Sequence, residues 1–329
     1  MPNYSLKNIA NLIGAQIFSG NEEFEITAIA FGEGNESEIQ YIRDEKFLKN
    51  HKNSLAKTCL IPSNLAEHAL DFENILVTED VELSFSLLTS LFKNEINDSN
   101  FVSTDYKFAN NPIFGLGSCI SSKASFGKNV SIGCNCVIGE NVYIGDNTVI
   151  ESNVVINNFC TIGKNNFISS GVIIGSSGFG FIFRNNSWKN IHHLGNVTIG
   201  DNVSIGANTC IDKATLGSTV IESNVIIDNL VHIAHNVKIG SGSAIAAKVG
   251  IAGSTIIGKK CLIGGMVGIF GHLSITDNVV ISPKSNVYRD IKKQGRYSSM
   301  FPLFEHSIWK KISIIISKID KMYTFFKKK

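Results

Sequence analysis

The sequence predicts a parallel β-helix, and three observations carry that expectation. First, isoleucine falls on every sixth residue from Ile132 through Ile138, Ile144, Ile150, Ile156, Ile162 and Ile168 to Ile174, with Ile120 and Phe126 continuing the series backwards. The series returns at Ile199, Ile205 and Ile211, slips by four residues, and runs from Ile221 at every sixth position to Ile281 and Val287. A period of six matches neither a 3.6-residue helix nor a two-residue alternation. It divides an eighteen-residue coil into three short strands, whose aliphatic side chains point into a prism and stack on the residue eighteen positions further on. Second, a small inward residue precedes each aliphatic by two: Val130, Cys136, Val142, Thr148, Val154, Cys160. Third, the residue after the aliphatic is often Gly or another small polar group suited to a tight corner, as at Gly133, Gly139 and Gly145. Some eight coils at about 4.8 Å each make a rod on the order of 40 Å long. About twenty-five buried aliphatics, at roughly 1.5 to 3 kcal/mol each, form a core that requires neither disulfides nor metal.

The remaining elements follow in chain order. Residues 1–109 have a different grammar, that of a small α/β domain. Ser5 caps a helix whose Leu6, Ile9, Ala10 and Ile13 form one face, and Gly14 ends it. Short β-type runs follow at 24–31, 58–61 and 75–77, then a second amphipathic helix over 81–92. Asn110-Asn111-Pro112 marks the junction with the rod, residues 110–290. Within the rod, Gly175 to Asn196 breaks the period and must leave it as a loop, either a binding surface or a contact with a neighbouring subunit. Residues 291–329 form a helical extension with seven lysines between Ile308 and Lys329, placed to cover the β edge of the last coil.

Thirty basic and twenty-eight acidic residues nearly cancel, which excludes a nucleic-acid binder driven by bulk charge. The seven cysteines are scattered and fall mostly on small inward positions, as expected in a reducing compartment. There is no basic segment followed by an apolar run at the start, and no stretch of eighteen apolar residues, so a cytoplasmic protein without a transmembrane segment is expected.

Three histidines lie within the ladder. His235 follows Ile233 by two and so sits at a corner, outside the prism. Asp228, seven residues earlier, is placed to orient its imidazole, and Gly253, eighteen residues later, occupies the same corner one coil on. His272 is on that edge too. Taken singly, each of these is a polar turn residue; together they offer a base, a carboxylate and a stacked backbone N–H.

The segments 227–237 (Ile-Asp-Asn-Leu-Val-His-Ile-Ala-His-Asn-Val), 246–254, Ile263-Gly-Gly265, Gly271-His272, 175–181 (Gly-Ser-Ser-Gly-Phe-Gly-Phe) and 205–212 resemble the bacterial UDP-3-O-(3-hydroxyacyl)glucosamine N-acyltransferases of lipid A biosynthesis. The resemblance extends over nearly the whole chain. It implies a left-handed β-helix, a homotrimer with active sites between neighbouring rods, and no cofactor or metal. The implied reaction moves a 3-hydroxyacyl chain from the phosphopantetheine thioester of acyl carrier protein to the 2-amine of a UDP-3-O-acylglucosamine. By the same resemblance His235 is the general base, Asp228 fixes its tautomer, Gly253 supplies an oxyanion donor and His272 supports substrate phosphate or the reacting centre. Tyr41 and Phe47 match aromatics that grip uracil, with Lys46 beside them, although two rings in a small domain equally serve as core. Two departures stand out: Ser177 where the family usually has aspartate, and Asp44 where it commonly has asparagine.

Two other readings remain. One is a related hexapeptide-repeat acyltransferase acting on another UDP-amino sugar. The other is a γ-type carbonic anhydrase, with zinc held by His232, His235 and His272.

Overall fold

The computed structural model describes residues 3–51, 53–93, 100–102, 107–300 and 302–319. The rod is a left-handed parallel β-helix. Its short strands, most of them two residues long, stack into three sheets, parallel except where Phe101–Val102 joins the end of one antiparallel, and each aliphatic pairs with the one a coil away: Ile132 with Ile150, Ile138 with Ile156, Ile144 with Ile162. The ladder isoleucines and the small residues two positions before them form one continuous buried core from Phe108 to Ile291. Phe108, Phe114 and Phe126 meet edge to face at 5.1–5.5 Å and plug the N-terminal end of the prism.

The corners are turned differently from the expectation. The residue at left-handed φ is not the one after the aliphatic but the one three after it, most often asparagine: Asn129, Asn135, Asn141, Asn147 and Asn153 all lie at φ of 53–62°. Asparagine tolerates this region because its short amide bonds locally. Gly133, Gly139 and Gly145 are needed for space instead. A Cβ on Gly133 would lie 2.6 Å from the Ser152 nitrogen, and one on Gly145 would lie 2.7 Å from the Gly163 carbonyl carbon, so the next coil leaves no room for a side chain.

Helix α1 (Leu6–Ile13) is built as its sequence predicts: the Ser5 hydroxyl accepts from the Asn8 N–H, the four expected residues are buried, and Gly14 closes the helix at φ 67°. With α2 (Glu45–Asn50), α3 (Val81–Leu91) and a five-stranded mixed sheet it forms the N-terminal domain. Ile191, Leu194 and Leu216 of the rod pack against the α1–α3 core, fixing this domain to the side of the rod.

The break in the period is a β-hairpin, Phe181–Arg184 paired with Ser187–Asn190, turning at Asn185-Asn186 with φ of 51° and 56°. It packs on this chain's own α3. The Arg184 guanidinium bridges Asp80 (2.6 Å) and Glu82 (2.9 Å), and the Ser86 hydroxyl donates to the Asn190 carbonyl at 2.9 Å.

Helix α4 (His306–Ser317) forms, but none of its residues is buried, so it does not sheathe the last coil as expected. A strand at Gly295–Tyr297 pairs with Val279–Ile281 and covers the edge of that sheet instead. Among the described residues no helix is long and apolar enough to cross a membrane.

Candidate active site

His235 is carried at a corner by the strand His232–Ile233 and is half-buried. Its Nδ1 lies 3.1 Å from the Asn236 side-chain oxygen. The orientation of that amide is fixed by two further bonds. The Asn236 Nδ2 donates to the Leu216 carbonyl at 2.8 Å, and the Thr215 N–H donates to Oδ1 at 2.9 Å. An oxygen facing Nδ1 must accept, so Nδ1 carries the proton and Nε2 holds the free lone pair. Gly253 lies directly against that nitrogen, since a Cβ there would come within 2.6 Å of Nε2. The Ser254 N–H donates to the His235 carbonyl at 2.9 Å, and the His272 N–H to the Gly253 carbonyl at 2.9 Å, so the three coils stack at one edge. His272 is exposed at φ 60° on that edge.

Asp228 stands elsewhere. It follows the strand Ile226–Ile227, which belongs to a different sheet, and its carboxylate accepts from the Asn229 N–H (2.7 Å) and the Ala247 N–H (3.1 Å). Glu151 and Glu222 fill the same slot of their coils and cap Ser170 and Ser241 in the same way, each at 2.9 Å. Asp228 is thus a repeated corner cap, and within one chain it does not orient His235. Asn236, adjacent in sequence and unremarkable there, does.

His193 was also not singled out by the sequence. It is buried, and its ring meets His235 edge to face at 5.1 Å. Burial, reinforced by the nearby His235 and Lys213, pushes it down to about 4, so it is neutral at pH 7. Gly178 and Gly180 permit this approach: a Cβ on Gly178 would lie 2.7 Å from His193 Nε2, and one on Gly180 would lie 2.7 Å from Cε1.

Two cavities meet at His235. One, about 280 Å³, leads to the N-terminal domain and is lined by Tyr41, Arg43, Phe85, Phe179 and Phe181 as well as His235. Tyr41 stacks on Phe85 at 4.0 Å, and burial, with Glu82 nearby, pushes its phenol up to about 12. Phe47 and Lys46 are not in this wall; Phe47 packs on His51 (5.4 Å) and Lys46 is exposed. Asp44 caps α2, accepting from the Phe47 N–H at 2.9 Å. The other cavity, about 550 Å³, is an apolar groove along the rod, shared by Phe179 and His235 and floored by Gly250 and Gly268. These glycines continue the row His232, Gly250, Gly268, Asn286 across one sheet, and a Cβ on Gly250 would meet nothing within 4 Å.

The three ladder histidines do not gather into a metal site within the chain. Among the described residues the only set that converges is Cys210, Asp212 and His232, with candidate ligand atoms within 4.8 Å. His232 Nε2 lies 3.6 Å from Asp212, which also accepts from the Ser176 hydroxyl at 2.6 Å.

Comparison with known proteins agrees with this architecture. Segments 123–158, 143–176 and 218–253 match the family model for the bacterial transferase hexapeptide (six repeats), which sets the class as a hexapeptide-repeat transferase. Among solved structures, LpxA from Acinetobacter baumannii is similar with a TM-score of 0.52 and 26% identity, covering 57% of this chain and 71% of that one. A UDP-N-acetylglucosamine acyltransferase scores 0.53 at 25% identity, covering 65% and 82%. The UDP-3-O-acylglucosamine N-acyltransferase of Hahella chejuensis is 37% identical over 326 residues, 97% of this chain and 93% of that protein. One from Sulfurimonas denitrificans is 36% identical over 96% and 99%. Against the relative from Delftia acidovorans the match is shorter, 32% over 152 residues, so that it spans about half (45%) of that protein's length. The chain belongs to the UDP-3-O-acylglucosamine N-acyltransferase family.

Proposed function

We propose that the protein transfers a 3-hydroxyacyl chain from the phosphopantetheine thioester of acyl carrier protein to the 2-amine of UDP-3-O-(3-hydroxyacyl)glucosamine, as a cytoplasmic homotrimer without metal or organic cofactor. The observation that carries this reading is the position of His235 at the junction of two cavities of opposite character. The smaller is aromatic and polar and suits a nucleotide sugar, with Tyr41 and Arg43 at its far end and Lys46 and Phe47 one turn away on α2. The larger is apolar and suits an acyl chain.

In this reading the amine attacks the thioester carbon, a C–N bond forms, the C–S bond breaks, and the thiol leaves with a proton. The free lone pair on His235 Nε2 accepts the proton that the nitrogen must lose, and Asn236 holds the imidazole in the tautomer that allows it. The tetrahedral oxyanion is met by the Gly253 N–H, which makes no hydrogen bond among the described residues. His272, on the same edge two coils away, supports a substrate phosphate.

The test is His235→Ala in single-turnover acyl transfer. The rate should fall about 10² to 10⁴-fold, the range for a positioned general base, with thermal stability unchanged because the residue lies outside the prism. Activity within threefold of the parent would exclude the assignment.

A further inference from the structure

Three side chains with different donor atoms meet on the outer face of the sheet whose strand His232–Ile233 carries His235. In the strand Cys210–Asp212 the ladder residue Ile211 points into the prism, so Cys210 and Asp212, two positions apart, share the outward face. On the next coil His232 pairs in register with Cys210, which sets the imidazole beside the thiol. Cys210 Sγ lies 3.8 Å from Asp212 Oδ1, His232 Nε2 lies 3.6 Å from Asp212 Oδ2, and the three donor atoms fall within 4.8 Å of one another. Behind them, the irregular pairing of Ile173–Ser176 with this strand brings in the Ser176 hydroxyl, which donates to Asp212 Oδ1 at 2.6 Å and fixes the carboxylate.

Asp212 is 5% exposed, and among the described residues no lysine or arginine pairs with it. A buried carboxylate calls for a positive partner, and the separation from His232 is too long for a hydrogen bond. A tetrahedral zinc ion, with bonds of about 2.3 Å to sulfur and about 2.0–2.1 Å to nitrogen and oxygen, holds its ligands roughly 3.3–3.6 Å apart. The two spacings to Asp212 exceed this by only a few tenths of an ångström, and the half-exposed His232 side chain has room to swing inward. A set of one sulfur, one imidazole and one carboxylate suits zinc, whereas magnesium and calcium take oxygen alone. We propose that Cys210, Asp212 and His232 form a binding site for a zinc-type divalent cation. The Cys210 thiol gives its proton to solvent as the metal–sulfur bond forms, and Ser176 orients the carboxylate from behind. Asp212 and His232 also line the apolar groove that holds His235, so the fourth position of the ion opens there to water or a small donor. The site does not depend on the acyl-transfer reading, in which no step uses the ion.

The test adds cobalt(II), then zinc(II), to the full chain after chelator treatment, with thiols kept reduced by a phosphine. One equivalent of cobalt should give the visible bands of a tetrahedral ion together with a near-ultraviolet thiolate-to-cobalt charge-transfer band, and zinc should bleach both. Cys210→Ser should abolish the charge-transfer band. His232→Gln, a change at a half-exposed side chain, should weaken binding at least tenfold with thermal stability unchanged, and it decides the matter if Asp212→Asn or Cys210→Ser does not fold. His235→Ala and His272→Ala should bind cobalt as the parent does, which separates this set from one built on the three ladder histidines. Absence of stoichiometric binding, a charge-transfer band that survives Cys210→Ser, parent-like binding in His232→Gln, or binding lost in His235→Ala overturns the site.

Discussion

Gly250 offers a direct measure of what the apolar groove holds. It lies on the outer face of a strand between His232 and Gly268, and a side chain there would project into the 550 Å³ groove without touching protein within 4 Å of its Cβ. Gly250→Leu should therefore fold with unchanged thermal stability while placing four carbons where an acyl chain would lie. If these displace about three methylenes, each worth about 0.8 kcal/mol on burial, the loss is about 2.4 kcal/mol. At 1.36 kcal/mol per tenfold, that is roughly a 60-fold drop in kcat/KM for a long 3-hydroxyacyl thioester. A chain too short to reach Gly250 should be unaffected, and Gly250→Ala should cost the long substrate only about fourfold. The assay is kcat/KM for a short and a long thioester on the same acyl carrier protein, compared with the parent. Equal factors for both lengths, or no change for the long one, would place the acyl chain outside this groove.

Three other outcomes are expected. Tyr41→Ala should raise KM for the UDP-sugar with little change in kcat, since the ring lines the part of the cavity formed by the N-terminal domain and would touch the nucleotide equally in ground and transition states, and Phe47→Ala, outside the cavity wall, should raise it less; steady-state kinetics over the sugar concentration decides. His193, lowered to about 4 in the folded chain against an ordinary 6.5, makes the unfolded state bind more protons between those values. Stability is then full above pH 6.5 and lost as pH falls, by about 2 kcal/mol at pH 5, and His193→Gln should flatten that slope in urea unfolding followed from pH 7 to 5. Reversing Lys310 and Lys311 on the exposed face of α4 to Glu should raise KM for the acyl carrier thioester at low salt and have little effect at high salt, where screening removes steering. An unchanged KM at low salt would leave these lysines as a solvated helix face. Lys321, in the same basic segment, lies outside the described residues.

The rod was legible because the prism admits one kind of residue at a fixed interval, so Ile132 and Ile281 carry the same message 149 positions apart. Corners are less legible. Spacing put Asp228 on the same coil as His235, but a carboxylate after a ladder residue finds the backbone N–H groups of the next coil first, as Glu151 and Glu222 show. Asn236 escaped notice because its value lies in two bonds to Thr215 and Leu216 that exist only where the ladder slips. His193 was invisible for a related reason: nothing in the string shows that the segment after the hairpin returns to face His235. The extension at residues 306–317 has the apolar spacing of a helix, yet spacing alone does not say what a helix packs on, and none of its residues becomes buried among the described ones.

The uniformity of the prism has a consequence for how such a chain finds its native alignment. Because coil after coil presents isoleucine to isoleucine, a chain threaded one whole coil out of step would keep almost all of its aliphatics enclosed and forfeit little. The interior is thus nearly degenerate, and position along the rod must be marked by features that occur once. The aromatic plug of Phe108, Phe114 and Phe126 marks one end. The hairpin, which stretches the step from Ile162 to its partner Ile199 to 37 residues, marks the middle. Arg184 reaching Asp80 ties that mark to a domain folded earlier in the chain. The irregularities that gather around His235 therefore serve as landmarks for folding as well as for chemistry, and deleting the hairpin should give a mixture of alignments rather than a shorter version of the same molecule.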